Sequence, residues 1–103
     1  MEESAAAQWL MQEAVDHLRE DNLGVYELLW LLRGSTFELA EDAAERLARA
    51  TAVELVSTHS AKLVRMKWPT NEITSRDVPD TELYADNIFE PGETGAYLAL
   101  TST

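Results

Sequence analysis

Val25-Tyr26-Glu27-Leu28-Leu29-Trp30-Leu31-Leu32 is the stretch on which the fold turns, with Glu27 its only charged residue. Apolar groups on nearly every side leave no wet helical face, so the pattern predicts a core helix covered by neighbours all round. It is far shorter than the roughly 20 residues that span a bilayer. Gly24 precedes it and Arg33-Gly34-Ser35-Thr36 follows. Gly34 stands where a left-handed C-terminal cap belongs, and Arg33 stands beside the negative end of the helix dipole.

On the N-terminal side, a helix is expected from just after Ser4 to about Arg19, with Glu2 and Glu3 near its positive end. Ala7, Leu10 or Met11, Ala14, Val15 and Leu18 recur at intervals of three and four, while Gln12, Glu13, Asp16, Arg19 and Glu20 gather elsewhere. Trp9 either covers the core or lies in a partner surface. Glu20-Asp21-Asn22 breaks the pattern and can cap the next helix.

On the C-terminal side, a third helix is expected from about Phe37 to Ser57, capped by Ser35 or Thr36, with Glu38 as the capping-box acid if Ser35 is the cap. Phe37, Ala40, Ala44, Leu47, Ala48, Thr51 and Leu55 form one stripe. Glu38, Glu41, Asp42, Glu45, Arg46 and Arg49 form the opposite, solvated one. After Thr58-His59-Ser60 the period becomes alternating: Leu63, Arg65 and Lys67 on one side of a strand, Val64, Met66 and Trp68 on the other, the apolar set facing the helices. Pro69 ends it. A second strand is readable at Gly95-Ala96-Tyr97-Leu98-Ala99-Leu100-Thr101, after the turn-rich Glu90-Pro91-Gly92-Glu93-Thr94, and the two should pair antiparallel. The 26 residues from 69 to 94 are long for a plain hairpin loop. Asp80 to Ala85 suits a short helical turn within them, and Ile88-Phe89 can tuck the segment onto the core.

The expected architecture is therefore α+β: three helices followed by a two-stranded antiparallel sheet with a long wing. That order is the order of a winged-helix domain. Val25-Tyr26-Glu27-Leu28-Leu29-Trp30, the Lys62-Leu63-Val64-Arg65 strand, Trp68-Pro69 and the final Gly95 to Thr101 segment make residues 22 to 101 resemble small, uncharacterised bacterial proteins of winged-helix type, seen mostly in actinobacteria. The chain length suits a single domain over residues 1–103, winged-helix-like in type; the resemblance leaves the first helix outside it and implies no particular activity. One departure is visible. A DNA-reading helix-turn-helix needs a short helix, a tight turn and a recognition helix, and Gly34 to Phe37 leaves little room for the middle piece unless Phe37 to Asp42 is split from the remainder of the third helix.

Composition narrows the function classes. At 103 residues the chain suits one modest core, and 46% apolar residues argue against wholesale disorder. The absence of cysteine excludes disulfides, thiolate chemistry and thiol-ligated zinc, and it fits a reducing compartment. Met-Glu-Glu-Ser carries no signal-peptide pattern, so the expected location is cytoplasmic. The net charge is -11; residues 1 to 68 hold 12 acidic and 7 basic side chains, and residues 69 to 103 hold 7 acidic and 1 basic. Such a surface repels phosphate backbones and attracts basic partners, besides keeping the chain soluble.

No motif amounts to a chemical signature. Glu13, His17 and Asp21 stand four apart and suit a divalent ion only if their helix continues that far; acids around a helical histidine are more commonly solvated neighbours. Ser57-Thr58-His59-Ser60 reads as a helix-end turn rather than a nucleophile site. No catalytic, cofactor-binding or metal residue is therefore assigned, no cofactor is expected, and the chain reads as a non-enzyme. DNA binding as an atypical winged-helix regulator is the alternative, but the third helix shows acids to phosphates, and Lys62, Arg65 and Lys67 are the one basic cluster. A protein-interaction or regulatory module remains, with Trp9, Trp68, Tyr84 and Phe89 as its candidate contact residues. A basic protein suits its charge, and self-association through the first helix is equally compatible.

Overall fold

The protein's structure, a computed structural model, describes residues 2–90 and 94–102. Three helices, α1 (Glu2–Leu18), α2 (Val25–Arg33) and α3 (Glu41–Ser57), pack on one face of a sheet built from β1 (Leu23–Gly24), β2 (Ala61–Lys67), β3 (Glu72–Ser75) and β4 (Ala96–Ser102). The sheet is antiparallel throughout, in the order β1-β4-β2-β3. The α+β class agrees with the sequence reading, but the sheet has four strands, where two were expected. Both extra strands lie below the reach of periodicity. β1 is two residues long and exists because Leu23 and Gly24 pair with Leu100 and Ala99. β3 has a single apolar residue, Ile73, opposite Met66; it follows a turn in which Asn71 adopts φ 58 and its N–H donates to Lys67 O at 2.7 Å.

The core is made where the helices meet the sheet. Ala6, Leu10, Ala14 and Leu18 bury one stripe of α1, each four residues from the last. Ala44, Ala48, Ala52 and Leu55 do the same for α3, whose small side chains let α2 approach closely. The helix begins at Glu41 with Ala40 as its N-cap residue, and so later than expected. Ser35 is occupied elsewhere: its hydroxyl donates to Leu32 O at 2.6 Å, at the end of α2, and accepts the Phe37 N–H at 3.3 Å. Residues 37–40 therefore run outside the helix, and Phe37 packs its ring against Trp9 with centroids 5.8 Å apart. Neither Glu20, Asp21 nor Asn22 caps α2. Gly24 is its N-cap residue, and the Glu27 carboxylate reaches back to accept the Gly24 N–H at 3.2 Å, the return half of a capping box. Gly34 at the other end has φ -86 and ψ 0, an ordinary right-handed geometry, so the expected left-handed cap is absent.

The faces of β2 are the reverse of the expectation. Ala61 and Leu63 join Leu23, Leu98 and Leu100 beneath the helices, whereas Val64 and Met66 lie on the opposite face with Tyr97 and Ala99, covered by Tyr26 and Ile73. Arg65 is tolerated on the helix side because it stands near the end of the strand, where its guanidinium pairs with Glu82 at 3.9 Å. Trp68 takes no part in either face; it is exposed in the turn after β2, where the Trp68–Pro69 peptide is cis.

The segment from 76 to 90 is tied down by its own anchors. Leu83, in a 3-10 turn at Asp80–Tyr84, is buried, as is Ile88. Arg49 of α3 donates to Leu83 O at 2.8 Å and to Ala85 O at 2.9 Å, with its guanidinium 5.6 Å from the centre of the Phe89 ring. Arg49→Met keeps the stem and removes both charged donors. It is expected to cost about 2 kcal/mol in a urea titration, and to speed proteolytic cutting between residues 76 and 90 while leaving the helices protected. Unchanged cutting there would show that Leu83 and Ile88 hold the segment unaided. The expected turn at residues 90–94 falls partly outside the described residues, as does the side chain of Glu2.

Candidate functional site

The spacing of α2 produces two stripes, not one. Val25, Leu28, Leu29 and Leu32 stand at i, i+3, i+4 and i+7 and are buried against α3 and the sheet. Glu27, Trp30, Leu31 and Gly34 repeat the same intervals and face away, lining one wall of a groove of about 380 Å³. Trp9 and His17 of α1 contribute the other wall; they are eight residues apart, with Glu13 midway between them on the same line of the helix. The helix is therefore not covered all round. Trp30, at its centre, is 60% exposed.

The rings of the groove are held in place. Tyr26 stacks edge-on against Trp30 with centroids 5.0 Å apart, and against Tyr97 at 5.3 Å, so a chain of aromatics runs from the second face of the sheet to the groove. Tyr97 is fixed in turn by its hydroxyl, which donates to Asn71 Oδ1 at 2.7 Å. Burial raises the pKa of both phenols above the ordinary tyrosine value. The Glu27 carboxylate adds to the effect on Tyr26; for Tyr97, the Tyr26 phenol and then the carboxylates of Glu27 and Asp21 add to it. Both phenols are thus neutral donors at physiological pH. Trp9 is held by Phe37. The carboxylate of Glu27 is also placed: one oxygen accepts from Gly24, and the other lies 3.8 Å from His17 Nε2, which is itself 3.1 Å from Asn22 O.

Of the four residues expected to make contacts, Trp9 is half-buried and lines this groove. Tyr84 is 63% exposed and lines a different groove, on α3, with Arg46, Arg49 and Val53. Phe89 is half-buried beneath Arg49, and Trp68 is 64% exposed at the end of β2. They do not share one patch. Trp30 escaped the sequence reading because it sits inside an apolar run; its signal was the second set of i, i+3, i+4, i+7 positions containing the only charge of that run.

Among the described residues no group of three or more histidine, aspartate or glutamate side chains is placed to hold a metal ion. At the end of α3, the Ser57 and Thr58 hydroxyls donate to Glu54 O, and His59, at φ 60, occupies the left-handed position of a Schellman turn closed by Ser60 N–H to Leu55 O at 3.0 Å. These hydroxyls are engaged with the helix end. Compared with known proteins, the chain matches no family model, and no curated protein or solved structure is significantly similar to it.

Proposed function

We propose that this protein is a non-enzymatic module that acts by contact with another protein, as an adaptor or regulator in the cytoplasm. The observation that carries the reading is that Trp30, Trp68 and Tyr84 are held more than half exposed on a chain of net charge -11. Large aromatics are the side chains that anchor interfaces, and these three supply candidate anchors at separate places on the surface. A partner with a basic surface suits the charge, and the absence of cysteine suits the reducing compartment.

The charges favour a protein over a nucleic acid. Arg19 pairs with Asp16, Arg33 with Glu41, Arg46 with Glu3 and Arg65 with Glu82, and Arg49 is engaged with backbone carbonyls. Phosphates would have to displace carboxylates from most of the arginines. The likeness to winged-helix-type bacterial proteins stands as part of the proposal. The sequence of helix, short strand, two helices and returning strands supports it, with β1 beside β4. The four-stranded sheet differs from that expectation, and no activity comes with the likeness. No helix among the described residues is long and apolar enough to cross a membrane.

Capture from a lysate of the source organism at moderate salt, with bound protein and nucleic acid both identified, tests the reading. The expected result is a stoichiometric protein whose retention falls when Trp30, Trp68 and Tyr84 are replaced by serine together. Recovery of specific DNA, or of no protein at all, would overturn it.

A further inference from the structure

We propose that the groove between α1 and α2 receives a cationic side chain, arginine or lysine, from a basic segment of the partner, with the ring of Trp30 and the carboxylate of Glu27 as its two contacts. The inference rests on the interaction reading above and names the chemistry of the partner at one site.

Three features of the groove require this class of occupant. Its exposed ring offers a negative π face, and a cation over such a face is attracted by the ring quadrupole. The Glu27 carboxylate has the His17 imidazole 3.8 Å away but no lysine or arginine partner among the described residues, although four of the arginines do pair with other carboxylates. Glu13 stands on α1 midway between Trp9 and His17; it does not line the groove, but its carboxylate adds negative charge nearby. A purely apolar occupant would take the water from Glu27 and leave it only the His17 imidazole at 3.8 Å and the Gly24 N–H, which is unfavourable beside a full counter-charge. A second copy of the chain would bring together two molecules of net charge -11. A phosphate would meet the carboxylate with the wrong sign. A guanidinium or ammonium satisfies the ring and the carboxylate together. The stack from Tyr97 through Tyr26 to Trp30 holds the ring before the ligand arrives, so little side-chain freedom is lost on binding.

The test uses the full chain and three fluorescein-labelled peptides in which glycine alternates with arginine, lysine or citrulline, citrulline having the shape of arginine without its charge. Fluorescence anisotropy at physiological salt should show binding of a cationic peptide and none of the citrulline peptide. Trp30→Leu, apolar but not aromatic, should weaken binding by about fivefold, and Trp30→Phe by less than about twofold. Glu27→Gln, which retains an oxygen for the Gly24 N–H, should also weaken it by about fivefold or more. Glu45→Gln makes the same change in net charge on α3 and should not alter binding. Thermal melts establish that each variant folds, and Glu27→Gln carries the test if Trp30→Leu does not. Absence of cationic-peptide binding, or equal weakening by Glu45→Gln and Glu27→Gln, overturns the proposal. So does a dimer that Trp30→Leu converts to monomer, because the occupant would then be a second copy. These failures leave the interaction reading standing, whereas that reading falls only with the lysate capture.

Discussion

Leu28→Ala should lower the stability of the folded chain by about 3 kcal/mol, while Trp30→Ala, two residues along the same helix, should cost about 1 kcal/mol. Leu28 is 0% exposed and belongs to the stripe of α2 that meets α3 and the sheet. Truncating it removes three carbons from a close-packed region, and the cavity closes poorly because Leu29 and Leu32 are held by the same helix. Trp30 is a larger side chain, but most of it is already in water, and the loss is confined to its contact with Tyr26 and Leu31. Domains of this size have total stabilities of about 5–15 kcal/mol, so the first change should move a urea midpoint far more than the second. Equal shifts would mean that α2 is turned the other way and that the groove is buried.

Gly95→Ala is expected to cost about 3 kcal/mol, whereas Gly34→Ala should shift stability by less than about 0.5 kcal/mol. Gly95 adopts φ +81, a region in which an L side chain is strained by about 1–2 kcal/mol, and a Cβ there would stand 2.8 Å from Trp68 O. That oxygen belongs to the backbone of the turn opposite and cannot rotate away. The Trp68 N–H also donates to Gly95 O at 2.9 Å, so a shift that relieved the clash would lengthen this bond beside the Lys67 to Ala96 pairing. Gly34 has right-handed geometry, and its Cβ would meet Trp30 O at 3.5 Å, an ordinary contact. Thermal melts and amide exchange of β2 and β4 read both outcomes. A costly Gly34→Ala would restore the left-handed cap that the sequence pattern suggests.

The interaction reading depends on the same asymmetry of α2. One stripe of the helix is consumed by the fold, and the other carries Glu27 and Trp30 into a groove that the fold leaves open. The residues that specify folding and those that face the groove therefore interleave along the helix, and variants of each kind can be separated by measuring stability and peptide binding side by side. Arg49 plays the corresponding part on α3. By binding the carbonyls of Leu83 and Ala85, it positions the segment that holds Tyr84 exposed beside the α3 groove.

The sequence by itself determined the α+β class, the three helices, the two long strands with their antiparallel pairing, the helical turn near residue 80 and the burial of Ile88. Each rests on local information: a period of 3.6 or 2, a turn residue, a proline. Only the tertiary structure decided which faces were used. α2 has two stripes at identical intervals, and β2 has an apolar residue on both sides, so periodicity could not choose; β1 pairs with β4 and sets the start of α2, and Arg65 finds Glu82 beside it on the helix side. β1 and β3 carry too few apolar residues to announce themselves and exist through hydrogen bonds to strands distant in sequence. Ser35 could cap α3 or close α2, and it closes α2 because Leu32 O lies within 2.6 Å of its hydroxyl. The groove shares that origin in part: Glu27 and Trp30 fall on one stripe of α2 by their spacing, but Trp9 joins them only when α1 and α2 pack, and no spacing along the chain records that contact.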